Sequence, residues 1–154
     1  MKPTRRGVSL SVAVALAIAA CGDDVTGPQN PEDVTFAAAL GINLSAMTKL
    51  PSGVYIQTVT EGTGGQLIAN NLFVADYKGW FSNGTLFDSG RLEGFRLSEM
   101  IPGFTGGAIG MRTGEVRKIV APSVLGYGGN PPRDSGIPPN AVLVFEVTLI
   151  QISP

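Results

Sequence analysis

Near the C-terminus, Leu143, Phe145, Val147 and Leu149 share one face of an extended segment, while Glu146 and Thr148 take the other. A period of two marks a β-strand buried on one side, so the chain must supply a sheet and something to cover its apolar face. Three more segments rich in β-branched and aromatic residues, 54–60, 72–78 and 114–121, are expected as further strands. In the second of these, Phe73, Ala75 and Tyr77 lie on one face, with Asp76 and Lys78 opposite. The 21 glycines and 11 prolines fit a β-rich fold with many turns, and Ser82-Asn83-Gly84 is the strongest turn signal. The cover is expected from a helix that starts near Pro102 and ends before Gly114. Pro102 suits a first turn, and Phe104, Ala108 and Met111 form one apolar face. Gly103, Gly106, Gly107 and Gly110 each cost up to about 1 kcal/mol relative to alanine in a helix interior. Only packing can hold such a helix, which predicts an α+β domain with the helix laid across an antiparallel sheet.

Composition narrows the chemistry. The chain has 154 residues, 44% of them hydrophobic, enough for one ordinary core. It contains no histidine and a single cysteine, which excludes Ser-His-Asp and Cys-His catalysis and most zinc sites. No phosphate-cradling glycine motif follows a strand, so no metal or cofactor is expected. Setting aside Lys2, Arg5 and Arg6 leaves eight basic against twelve acidic residues, a net charge of about −4. Without a basic stripe, nucleic acid is not an expected partner.

Those three basic residues precede an apolar run of 14 residues, Gly7 to Ala20. The run is shorter than the ~20 residues that span a bilayer comfortably, and reads as the h-region of a signal peptide over 1–20. It ends Ile18-Ala19-Ala20-Cys21, which resembles a lipobox and implies lipidation at Cys21. The segment 21–33, small, polar and acidic, is expected to be a flexible tether behind the lipidated cysteine. By resemblance to Gram-negative lipoproteins, Gly22 after the cysteine favours an outer-membrane location facing the periplasm. An N-terminal extension follows over 34–52. Within it, Val34 to Leu40 reads as a short helix with Asp33 as cap and Gly41 as stop. The globular domain is expected over 53–154, as a monomer.

Four blocks carry a family likeness: YKGWFSNGTLFDSG from Tyr77 to Gly90, PGF at Pro102 to Phe104, LGYG at Leu125 to Gly128, and GIPPNAVLVFEV from Gly136 to Val147. In their order and spacing they resemble the FKBP-type peptidyl-prolyl cis-trans isomerases over roughly two thirds of the chain. The resemblance implies a curved antiparallel sheet wrapped around one short α-helix, with an aromatic pocket that holds a prolyl ring. It implies that Tyr77, Phe87, Phe95, Met100, Ile101, Tyr127 and Phe145 wall the pocket and that Phe104 forms its floor. Asp88, Tyr127 and Ile137 would supply the polar contacts, the last two as donors to substrate carbonyls. Proline-containing polypeptides are the implied partners and macrolides the implied inhibitors. Trp80, the only tryptophan, would then sense ligands.

The likeness has departures. Phe104 stands where the family often has tryptophan, and the stretch from Phe87 to Phe95 is shorter than the common pattern, so Arg91 is not a secure match for a basic residue often found there. The flap from Gly128 to Gly136 carries Pro131 and Pro132. A non-catalytic module that binds proline segments or acts as a chaperone stays open beside the enzyme. Tyr77, Asp88 and Tyr127 favour a site over plain core, because buried polar side chains must find partners.

Overall fold

The computed structural model describes residues 27–153. Six strands form one antiparallel sheet: β1 (Thr48–Lys49), β2 (Tyr55–Thr60), β3 (Leu72–Phe81), β4 (Leu86–Phe95), β5 (Val116–Ala121) and β6 (Leu143–Ser153), in the order β1-β2-β5-β6-β3-β4. One helix, α1 (Pro102–Ala108), crosses it. The alternation in β6 holds: Leu143, Phe145, Val147 and Leu149 are all buried, and they pack with Phe73 and Ala75 of β3 against Phe104 and Ala108 of α1. β4 carries few apolar residues and no clean alternation, which is why its pattern did not read as a strand. It is held by pairing with β3.

The helix is shorter than the expected 102–113, and its glycines explain how it packs. A Cβ at Gly103 would lie 2.5 Å from Ala121 Cβ, and one at Gly107 would lie 2.4 Å from Ile119 Cγ2. These two positions, one turn apart, let the helix backbone press directly onto β5. Met111 falls beyond the helix yet is fully buried. The C-terminal end of α1 is held by Arg117, whose Nη1 donates to the carbonyls of Gly107 (2.9 Å) and Ile109 (3.3 Å). Its Nε donates to Glu115 Oε1 at 2.7 Å. Glu115 also accepts from Thr58 Oγ1 and the Arg112 N–H. The buried pair is thereby saturated with hydrogen bonds, the condition for tolerating charge in a core.

The opposite face of the sheet is not left to water. Residues 29–47 run across it as a strap, and Leu40 and Met47 bury against Tyr55, Val120, Val142 and Val144, with Phe36 and Trp80 packed alongside. The strap replaces two expectations. Val34 to Leu40 is not a helix: single 3-10 turns occur at Pro31–Asp33 and Ala38–Leu40, and Gly41 ends the second in the left-handed region (φ 59°). The segment also lies flat on apolar sheet, which offers more burial than an isolated turn of helix. The tether does not run to Asp33, because from Gln29 onward the chain is bonded to the domain. The Gln29 N–H donates to Ser123 Oγ at 2.8 Å, Pro31 is buried, and Glu32 accepts from Lys49 Nζ and, at 2.7 Å, from Tyr55 Oη. The signal segment and Cys21 lie outside the described residues.

Candidate functional site

On the helix side of the sheet a cavity of about 340 Å³ opens between β3, β4, β6, α1 and the loop after β5. That is within the size range of small-ligand sites. Phe145 stands at its centre: its ring meets Phe104 edge-on at 5.5 Å and Phe87 edge-on at 5.9 Å, and Phe87 stacks on Phe81 at 5.0 Å. Such offset and perpendicular pairs are the favoured aromatic geometries. Gly79 makes the cluster possible. A Cβ there would sit 2.7 Å from Phe87 Cζ and 3.2 Å from Phe145 Cε1, so both rings lie directly on its backbone. A glycine inside a strand is the sequence signal for such close approach.

Phe87 and Asp88 are consecutive yet both line the cavity. A regular strand would send them to opposite faces. Here the register shifts, with Gly79 opposite Asp88 but Trp80 opposite Leu86, so Phe87 is the extra residue of a bulge that re-aims its neighbours. The same alternation sends Trp80 to the opposite face, under the strap. It therefore reports on the strap and not on ligands in the cavity.

Tyr77 Oη donates to Asp88 Oδ2 at 2.6 Å, and Asp88 Oδ1 accepts from the Ser89 N–H at 2.9 Å. Burial, reinforced by the Asp88 carboxylate, pushes the Tyr77 phenol up to about 12. Tyr77 thus remains a protonated donor at any physiological pH. The Tyr127 hydroxyl, also lining the cavity, bonds no other described residue.

Met100 and Ile101 enter from the turn before α1, anchored by fully buried Leu97 and by the Arg96 N–H donating to Glu99 Oε2 at 2.6 Å. Ile101 takes the extended conformation (φ −59°, ψ 147°) that the following proline requires. Tyr77, Phe87, Asp88, Met100, Ile101, Phe104, Tyr127 and Phe145 thus line one cavity.

Two expected residues lie elsewhere. Phe95 pairs with Phe73 at the far end of β4, beyond a bulge at Gly94 (φ 72°), and is 38% exposed. Leu92 and Glu99, which were not anticipated, line the cavity. Ile137 lies in the flap and does not line it; its N–H donates to Ser135 Oγ at 3.3 Å. Arg91 is on the outer face, in a bidentate pair with Asp76 (2.6 and 2.9 Å), and takes no part in the pocket.

A short helix crossing a curved antiparallel sheet, with an aromatic cavity between them, defines a prolyl-isomerase-like domain. The chain belongs to the FKBP-type peptidyl-prolyl cis-trans isomerase family, whose model matches residues 66–150. It is 35% identical over 106 residues to the FK506-binding protein of Neisseria meningitidis, covering 65% of this chain and 96% of that one. It is 34% identical over 109 residues to the outer membrane protein MIP of Legionella longbeachae, covering 67% and 46%. A peptidyl-prolyl cis-trans isomerase from Pseudomonas syringae superposes with a TM-score of 0.67 at 32% identity, covering 76% of this chain and 87% of that one. The chain spans 29–46% of the length of the longer curated relatives it matches.

Proposed function

We propose that this chain catalyses cis-trans isomerisation of X-Pro bonds in exported polypeptides, held in the cell envelope by a lipid on Cys21. The observation that carries the activity is the Phe87–Phe145–Phe104 cavity with phenolic groups at its edge. Rotation about an X-Pro amide faces a barrier of ~18–20 kcal/mol because resonance is lost, and it takes tens to hundreds of seconds uncatalysed. No bond is made or broken, so neither acid, base nor metal is required.

An apolar cavity acts on the difference between ground and transition states. The planar amide is the more polar of the two, so removing it from water costs it more than the twisted form. A differential of about 1–3 kcal/mol per lost hydrogen bond corresponds to roughly five- to 160-fold in rate. Phe145 and Phe104 hold the ring, and the Tyr127 hydroxyl, at the cavity edge, donates to a carbonyl beside it. A donor raises the rate only where it favours the twisted state. The Ile137 N–H can exchange its long bond to Ser135 for a substrate carbonyl. Asp88 holds Tyr77 in the wall. Phe104 leaves a smaller floor than tryptophan would, which widens the seat of the prolyl ring.

The envelope assignment is supported by the lipobox-like Ile18 to Cys21 and by a relative named as an outer membrane protein. An uncoupled assay on a proline tetrapeptide tests the activity: the intact domain should accelerate the exchange, and absence of acceleration would overturn it. Cys21→Ser should move the protein from the membrane to the soluble fraction.

A further inference from the structure

The strap on the back of the sheet is bonded to the loop that carries one pocket wall. The Gln29 N–H donates to Ser123 Oγ at 2.8 Å and the Ser123 N–H donates to the Gln29 carbonyl at 2.9 Å. Ser123 is fully buried. Its own carbonyl accepts from the N–H groups of both Gly126 (3.0 Å) and Gly128 (2.9 Å), the two residues that flank Tyr127. The Gly128 carbonyl in turn accepts from the Asn140 N–H at 2.8 Å, closing the base of the flap that holds Ile137. Further along, the Ala37 N–H donates to the Ser82 carbonyl at 2.8 Å, at the turn between the strands that carry Phe81 and Phe87. The strap thus grips the supports of both pocket walls from behind. Loop residues hold a site only as well as the bonds that fix the loop, because surface connections otherwise open at little cost.

We infer that Ser123 is a positioning residue for the isomerase site: it transmits the docking of the strap at Gln29 to Tyr127 and the flap, and so sets the width and donor geometry of the pocket. The inference rests on the isomerase reading above. Its structural half is tested independently of turnover.

Two variants of the full mature chain test it. Ser123→Ala removes the oxygen that accepts from Gln29, and Glu32→Ala releases the strap at a distance by removing its bonds to Lys49 and Tyr55. Loss of the partly buried Gln29–Ser123 hydrogen bond predicts a fall in kcat/KM of about three- to tenfold, carried by kcat more than KM, since Phe145 and Phe104 still bind the ring, and Glu32→Ala a fall in the same direction. Tyr127→Phe should cost less in either variant than in the parent, because Tyr127 is already misplaced. Amide exchange should quicken at Gly128 and Asn140 in both variants and stay slow in β6.

Unchanged kcat/KM, or effects of Ser123→Ala and Tyr127→Phe that multiply, would overturn the positioning role. Unchanged exchange at Gly128 and Asn140 would overturn the mechanical coupling even in a chain without turnover. Should Ser123→Ala fail to fold, Glu32→Ala carries both readouts alone. An inactive parent whose variants still loosen Gly128 and Asn140 would refute the isomerase reading and leave the coupling standing.

Discussion

At the residue scale, the pocket depends on side chains that are present and on one that is absent. Gly79 is as much a part of the site as Phe87 and Phe145, because a methyl there would collide with both rings. Gly79→Ala should therefore lower stability by about 1–3 kcal/mol, the range for overpacking, and weaken ligand binding; denaturant melts and peptide titration check the two effects. Tyr77→Phe should leave stability nearly intact but free the Asp88 carboxylate, lowering kcat/KM several-fold through one lost hydrogen bond. Of the residues that line the cavity, Tyr77, Phe87, Asp88, Phe104, Tyr127 and Phe145 were legible because they fall in contiguous motif blocks and Met100 and Ile101 because they directly precede one, whereas Leu92 and Glu99 lie outside every block and left no signal. Phe95 was misplaced because its position depends on the bulge at Gly94, and bulges leave almost no trace in an alternation pattern. Gly79 lies one residue past the expected strand 72–78, and only the longer observed strand, Leu72–Phe81, places a glycine inside it.

At the scale of elements, α1 shows which glycines the fold needs. Gly107 cannot accept a side chain without displacing Ile119, whereas a Cβ at Gly106 would meet nothing within 4 Å. Gly106→Ala should stabilise the domain by about 0.5–1 kcal/mol through reduced backbone freedom of the unfolded chain. Gly107→Ala should destabilise it, and urea titration separates the two. The sequence alone does not separate these glycines: the approach of β5 singles out Gly103 and Gly107 from Gly106, and Gly110 lies beyond the helix in the left-handed region (φ 83°).

The strap makes a pH prediction. Hydrogen bonds from Lys49 and then Tyr55 hold Glu32 down from 4.5 to about 2. A carboxylate with a lowered folded pKa stabilises the docked strap above its ordinary pKa and loses that contribution as pH falls from about 4.5 to about 2. Trp80 emission should report undocking in that window, and Glu32→Gln should remove the step. The strap itself was illegible. Its polar, proline-rich start has the composition of a linker, and its docking depends on contacts to residues such as Ser123, far away in the chain.

At the scale of the molecule, the sheet is a shared partition with the helix and the pocket on one side and the strap on the other. Val142 and Val144, which face away from the main core, are nonetheless buried by the strap. On the same outer face Glu146 of β6 sits in register between Lys78 of β3 and Lys118 of β5, and Lys118 Nζ donates to the Leu40 carbonyl at 2.7 Å. One face concentrates apolar desolvation and the other supplies rigidity. That division suits a catalyst that needs a fixed, dry pocket and no reactive group.

The most direct test of this account is the cis-trans exchange rate of a proline tetrapeptide, followed by exchange NMR with a small fraction of an equivalent of the protein, before and after saturation with rapamycin. Acceleration that is abolished once the macrolide fills the aromatic cavity is the expected result. Exchange no faster than in buffer, or acceleration that persists with the macrolide bound, would contradict the assignment of catalysis to this pocket.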